Sequence, residues 1–255
     1  MKRQMTFNED VKNYDRFRPT YTKELFDNII HYSSLDKTKE ALEIGIGTGQ
    51  ATTPILQTGC SLTAIELGDN LASYCENKFR EYDNFTIHNT SFEDYHYAPN
   101  SVGLIYSGTA FHWIPEEIGY TKVFDMLKRG GTLALFWNRP SIKKDSTIYN
   151  EIQLIYKKYS PTYEPPVEDK QDKYNRIMES IRKYGFVDLQ FKLIHQTRSF
   201  NAEDYISLLN TYSDHRVMPK DIRLAFEEEM RATINKHGGV LTIYDTMDLY
   251  LAKKP

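Results

Sequence analysis

Apolar positions along the chain fall into short runs separated by amphipathic stretches. ALEIG at 41–45, SLTAIEL at 61–67, FTIHNT at 85–90, VGLIYSG at 102–108 and GTLALFW at 131–137 read as strands. Between them GQATTPILQTG (49–59), LASYCENKFREY (71–82) and residues 118–127 read as helices, with Pro54 tolerated in a first turn. Upstream, Tyr21, Leu25, Ile29 and Ile30 recur near helical spacing and predict a helix over 7–32, with Pro19 and Thr20 as start signals. After Trp137 the rhythm changes. Helices are expected at about 146–159 and 172–184, with a charged, proline-containing solvated connection between them at 163–170. GFVDLQFKLIHQTRSF then returns to strand character, 202–235 is helical, and LTIYDTMDLYLAKK is a terminal strand. The seven strands with intervening helices predict an α/β fold: a doubly wound, mainly parallel sheet covered on both faces, with helical insertions in the C-terminal half. Residues 1–255 read as one domain, with a helical cap at 1–32, a core at 36–140 and insertions at 141–182 and 201–237.

Composition narrows the partners. With 255 residues, 40% hydrophobic, 26% charged and a formal net charge of -3, the chain has the balance of a soluble globular protein. It carries no basic block that would draw it to nucleic acid. No stretch of about 18 apolar residues is present to span a membrane. MKRQMTFNEDVKNYDRF has no apolar run behind its basic residues, so no signal peptide is expected. Cys60 and Cys75 form neither a metal-type spacing nor a disulfide framework and read as reduced thiols. The expectation is a cytoplasmic protein, monomer or homodimer, with no metal.

The chemistry is concentrated in ALEIGIGTGQ at 41–50, where a strand runs into three glycines and then a helix. Such a turn sets backbone N–H groups and a helix N-terminus at the C-terminal edge of the sheet, where open α/β sheets bind ligands. A dinucleotide fingerprint wants glycines at its first, third and sixth positions; here Gly45 and Gly47 are followed by Gly49 at the fifth, with Gln50 at the sixth. A phosphate loop would add a lysine followed directly by serine or threonine, and no such pair follows the glycines. Glu43, two residues before the first glycine, repels phosphate and favours a cationic ligand such as an ammonium or sulfonium. Glu66 ends the second strand about 17 residues after Gly49, a position suited to ribose hydroxyls. An NAD-linked dehydrogenase is therefore disfavoured, although the fold alone would permit it.

EIGIGTG, the acid in AIEL, the SFED segment and the LKRGG turn before TLALFW resemble the class I S-adenosylmethionine-dependent methyltransferases, whose core is a Rossmann-like sheet. YDRFRPTY and AFHW at 110–113 resemble the trans-aconitate methyltransferase-like branch of small-molecule enzymes. The resemblance covers most of the chain and thins over roughly 140–185. It implies S-adenosyl-L-methionine as cofactor. Gly45 and its neighbours would hold the methionine part, Glu66 the ribose and Leu67 one adenine face. Ser91 and Phe92 would meet the adenine edge, Ser91 standing where the family often has Asp; Ser107 also falls in the implied cofactor set. Tyr14 and Arg18, one helical turn apart, would reach the cofactor carboxylate. The Arg-Gly-Gly turn at 129–131 replaces the usual Pro-Gly-Gly. Tyr205, Tyr212 and His215 lie on the late helical insertion, which the resemblance makes a lid over the acceptor and composition alone makes a packed helix.

His112 follows the fourth strand at the edge where an acceptor would approach. It has three readings: a base for a hydroxyl or amine, a hydrogen-bond partner for a carboxylate, or a ring packed against Trp113. Trp113 and Trp137 both fall at strand ends, where their faces can attract a sulfonium or simply fill space. A nucleic-acid methyltransferase would carry an Asn/Asp-Pro-Pro-Tyr-type motif after strand four, where SGTAFHW stands instead. The remaining alternative is a cofactor-binding protein without turnover.

Overall fold

Seven strands in the computed structural model, which describes residues 11–159 and 170–255, form one sheet in the order β3-β2-β1-β4-β5-β7-β6. They are β1 Glu40–Ile44, β2 Ser61–Glu66, β3 Phe85–Asn89, β4 Val102–Gly108, β5 Leu127–Ser141, β6 Val187–Phe200 and β7 Leu241–Lys253. The first five pair in parallel, with Glu43 in register with Ala64 on one side and Tyr106 on the other. β7 runs against β5, because Gly130 and Gly131 exchange backbone bonds with Lys254 near the start of one and the end of the other. The crossovers are carried by α3 (Thr52–Leu56), α4 (Asp69–Lys78) and α5 (Glu116–Met126).

Alternate residues of each strand face opposite sides, and both sides are apolar. Ala41, Leu62, Ala64, Leu104, Tyr106, Ala134 and Phe136 join one buried cluster; Leu42, Ile44, Ile65, Ile105, Leu133, Leu135 and Trp137 join the other. Double-sided burial is what a parallel sheet sandwiched by helices requires. Glu43 falls on the same side as Ala41 and Tyr106, so a carboxylate lies within an otherwise apolar layer.

The chain divides into two compact units. The sheet unit comprises residues 19–138, 170–194 and 247–255 of those described, and it includes α2 (Lys23–Ser33) and α7 (Lys170–Lys183). The helix expected at about 172–184 is α7, within the sheet unit. The helical unit comprises residues 11–18, 139–159 and 195–246. It holds α1 (Val11–Phe17), α6 (Thr147–Tyr159), α8 (Ala202–Leu209), α9 (Ser213–Arg216) and α10 (Lys220–Lys236). Its core joins Ile152 and Ile155 of α6 to Leu208 and Leu209 of α8 and to Phe226, Met230 and Ile234 of α10.

Several element boundaries differ from the sequence reading, each for a local reason. The helix expected over 7–32 is two helices. Pro19 and Thr20 lie in the break, and α2 starts after Thr22, whose hydroxyl caps the Leu25 N–H. The helix expected over 49–59 shortens to α3, because Gly49 is still in the left-handed region. α5 begins at Glu116, after Pro115. β5 extends on both sides of 131–137, and the 202–235 helix breaks into three at Asn210–Tyr212 and Val217–Pro219. Residues 7–10 of the expected N-terminal helix and most of the 163–170 connection lie outside the described residues. Among the described residues no helix is long and apolar enough to cross a membrane, and no group of acidic, His or Cys side chains could hold a metal.

The helical unit buries the ion pair of Arg198 with Asp245. Arg198 Nε and Nη2 grip both oxygens of Asp245, whose side chain is fully buried. Removing the cation leaves an uncompensated buried carboxylate. Arg198→Met is expected to lower stability by about 3 kcal/mol, read as a drop in the urea midpoint at unchanged slope.

Candidate functional site

The chain builds β1, β2 and β3 outward in one direction, then returns to lay β4 on the other side of β1. That reversal makes the C-terminal ends of β1 and β4 a topological switch point, the usual ligand position in such sheets. The turn that follows β1 lies there. Gly45, Gly47 and Gly49 have φ values of +71, +60 and +83°, a sequence of conformations only glycine adopts cheaply. A Cβ at Gly45 would lie 2.6 Å from Ala110 Cβ, and one at Gly49 2.5 Å from the Phe79 ring. Ile46 and Thr48, between the glycines, are buried, and the turn's backbone is also gripped from outside. The Gly47 N–H donates to Glu66 Oε2 at 2.9 Å, Cys75 Sγ donates to the Gly47 carbonyl at 3.2 Å, and Lys78 Nζ donates to the Thr48 carbonyl at 2.9 Å.

Two carboxylates flank this turn. Glu43 is 2% exposed, and its Oε2 accepts from Thr52 Oγ1 at 2.7 Å and from Tyr106 OH at 2.8 Å. Burial pushes its pKa up to about 7; the two hydroxyl donors oppose the rise and the Glu66 charge adds to it. Glu66 is also buried and raised by desolvation, against the pull of N–H groups from Gly68, Gly47 and Leu67. Its Oε1 accepts from the Gly68 N–H at 2.9 Å, so this one side chain joins the end of β2 to the glycine turn. Leu67, immediately after, is 41% exposed and offers an open apolar face. Thr52 and Tyr106 were not read from the sequence. Tyr106 left a signal, since a tyrosine in the middle of a doubly buried strand must find its hydroxyl a partner.

Three residues expected beside the cofactor have their side chains engaged elsewhere. The Ser91 hydroxyl donates to Asp94 Oδ2 at 2.7 Å and accepts from the Asp94 N–H at 3.1 Å, capping its own turn. The Phe92 ring is 3% exposed in the core, with Lys122 Nζ 5.3 Å from its centre. Ser107 is buried and donates to the Ile44 carbonyl at 2.8 Å, fastening β4 to β1.

The segment after β4 is held tightly. Thr109 has a φ of +55°, a strained value for a branched side chain. Its Oγ1 shares a 2.9 Å hydrogen bond with Tyr21 OH and accepts the Asn138 N–H at 3.2 Å, while its own N–H donates to the Phe136 carbonyl at 2.8 Å. Tyr21 packs edge-on against Phe136 at 4.7 Å. Phe111–Trp113 then form one 3-10 turn that buries Phe111 and exposes His112. Trp137, buried at the C-terminal part of β5, donates its indole N–H to His112 Nδ1 at 3.1 Å. The Trp113 ring lies 5.0 Å from the His112 ring, tilted by 36°. His112, Trp113 and Trp137 thus lie together at this edge; Tyr21, Thr109 and Asn138 carry the segment.

The remaining expected site residues belong to the helical unit. The Arg18 guanidinium lies between the rings of Tyr14 and Tyr212, 4.8 and 4.5 Å from their centres, and donates to the Thr211 carbonyl at 2.8 Å. Tyr205 packs near Phe200 in the unit's core, and His215 is 3% exposed with Tyr156 OH 3.2 Å from its Nε2. Burial pushes the His215 pKa down, against the acidic Asp214 and Glu227.

A glycine cradle that a Cβ would fill, two buried carboxylates and an exposed leucine at the end of β2 suit a nucleoside carrying positive charge. They suit a pyrophosphate poorly, since both carboxylates would repel it. The comparisons agree. Residues 42–135 match the family described as methyltransferase domain. An uncharacterized methyltransferase of Schizosaccharomyces pombe is 25% identical over 232 residues, covering 91% of this chain and 86% of the relative. A solved structure from Anaeromyxobacter dehalogenans, assigned as a type II methyltransferase, has a TM-score of 0.67 at 17% identity over 93% of this chain and 98% of its own. Phosphoethanolamine N-methyltransferase 2 of Haemonchus contortus, in complex with S-adenosyl-L-methionine, has a TM-score of 0.57 at 13% identity, over 100% of this chain and 57% of its own. Residues 42–135 thus carry a methyltransferase domain, on a fold shared with solved methyltransferases. Gly45, Gly47, Gly49, Glu43, Glu66 and Leu67 are the residues of the sheet unit that would hold the cofactor.

Two outcomes are expected. Gly45→Ala meets both a positive φ and a close contact with Ala110. It should cost roughly 1–3 kcal/mol and lose the thermal upshift that S-adenosylhomocysteine gives the parent protein. The second concerns pH. Glu43 ordinarily titrates at 4.5 and here at about 7, so the folded chain keeps a proton that the unfolded chain releases. Stability of the cofactor-free protein therefore falls as pH rises through that window, by about 3 kcal/mol from this group, and Glu66 acts in the same direction. Denaturant titrations at about pH 5 and about pH 8 should show a shallower loss in Glu43→Gln than in the parent.

Proposed function

We propose that the chain methylates an oxygen, carboxylate or hydroxyl, of a small-molecule acceptor at the C-terminal edge of β4 and β5. The reading assigns it to the cytoplasm, acting as a monomer or homodimer on neither nucleic acid nor membrane. The observation that carries it is the exposed His112, flanked by Trp113 and Trp137 on the edge that also bears the glycine turn. The likeness of AFHW to the trans-aconitate methyltransferase-like enzymes supports a small acceptor, as does the formal net charge of -3.

S-adenosylmethionine, when bound, supplies a methyl group already activated on a sulfonium, transferred by in-line displacement. The chain's residues then have mainly to hold and align. The glycine turn, fixed by Glu66, Cys75 and Lys78, is a rigid seat, and alignment of this kind can lower a barrier by on the order of 7–11 kcal/mol. Glu43 and Glu66 place negative charge beside a cationic ligand. Trp113 and Trp137 supply aromatic surface that excludes water and attracts positive charge. His112 contacts the acceptor.

The test is incubation of a metabolite extract with the protein and methyl-labelled cofactor, followed by mass spectrometry. A labelled small ester or ether is the expected product. Cofactor binding by titration with no labelled product from any extract would favour a binding protein without turnover, and label in added RNA or DNA would exclude a small acceptor.

A further inference from the structure

The geometry points to Trp137 as a positioning residue that fixes the proton of the neutral His112 ring on Nε2, making His112 a hydrogen-bond donor to the acceptor and not its base. The inference rests on the proposed function for the statement that His112 meets the acceptor; the proton assignment itself rests on the side chains alone. An indole nitrogen can only donate. With Trp137 Nε1 3.1 Å from His112 Nδ1, that ring nitrogen must present its lone pair, and the neutral ring then carries its proton on Nε2. A base needs a bare nitrogen facing the acceptor. Here the bare nitrogen faces Trp137.

Trp137 is not at liberty to turn away. It is 8% exposed and meets the Tyr250 ring edge-on at 5.8 Å. Tyr250 is itself fixed by donating its hydroxyl to Asp248 Oδ2 at 3.0 Å, and both of these residues have no exposed surface. From the other direction, the His112 ring lies against Trp113, and the segment leading to it is pinned by Thr109 to Tyr21 and to the Asn138 N–H. A line of contacts from Asp248 through Tyr250 and Trp137 thus ends on one nitrogen of His112.

A donor at this position selects acceptors that arrive with an anionic oxygen, of which a carboxylate is the class that needs no deprotonation. One carboxylate oxygen accepts from Nε2–H and is oriented by it. The other uses its own electron pair to form the new bond to the methyl carbon as the methyl–sulfur bond breaks and its pair passes to sulfur. The products are a methyl ester and a neutral thioether, with no proton released. A neutral alcohol would have to lose a proton, and His112 in this form cannot take it.

The full chain labelled with nitrogen-15 gives the direct test. Long-range proton–nitrogen correlation spectra distinguish the two ring nitrogens, and the His112 signals are assigned by their loss in His112→Gln. The expected result in the parent protein is a bare Nδ1 and a protonated Nε2, with Trp137→Phe moving the ring toward a mixture of the two forms. A proton on Nδ1 in the parent overturns the inference, whatever the variant does. On an acceptor identified by methyl labelling, His112→Gln retains an N–H donor but no base. It should keep kcat within about tenfold of the parent, while His112→Ala mainly raises KM. A kcat loss of roughly 100-fold or more in both variants, the size of a lost general base, would overturn the donor role. If no extract yields an acceptor, the proposed function fails, and the nitrogen spectrum still decides the form of His112.

Discussion

The glycines that alternate through the turn after β1 have no side chains of their own, and the proposed cofactor seat depends on the shape of that turn. Its conformation is imposed by neighbours. Glu66 holds the Gly47 N–H, Cys75 the Gly47 carbonyl, and Lys78 the Thr48 carbonyl. These grips come from the end of β2 and from α4, the second and third elements after the turn. The strand and helix that follow the turn therefore complete it, and a short helix such as α3 suffices beneath it.

The same region concentrates an electrostatic cost. Two carboxylates are buried within an apolar sheet layer, and desolvation leaves one of them close to half-protonated at neutral pH. Thr52 and Tyr106 reduce that cost without removing it, because a neutral hydroxyl stabilises a carboxylate less than a cation would. A stability-optimised fold would replace Glu43. Its presence next to the glycines makes sense as a negative charge kept underpaid by the protein itself and completed by a cationic ligand.

Much of this was legible in the chain. The alternation of strands and helices through residue 137, the glycine spacing and the placing of Glu43 and Glu66 are local patterns, and local patterns survive folding. What was not legible depends on partners distant in sequence. Tyr21 meets Thr109, Tyr106 meets Glu43, and Trp137 meets His112 across separations that spacing rules do not see. Ser91 and Phe92 show the converse: a position can match a family pattern while its side chain is engaged by a neighbour or buried. Pro19 signals a helix start in the sequence, whereas the capping hydroxyl of Thr22 sets the start three residues later.

The chain has only two tryptophans, and they are Trp113 and Trp137. One lies against the His112 ring and the other is hydrogen-bonded to it. Light absorbed selectively by indole, beyond the range of the 19 tyrosines, is therefore emitted only from side chains that touch this histidine. The protein carries an unlabelled optical reporter confined to the edge of β4 and β5, and its emission colour and quenching describe that edge and no other part of the molecule.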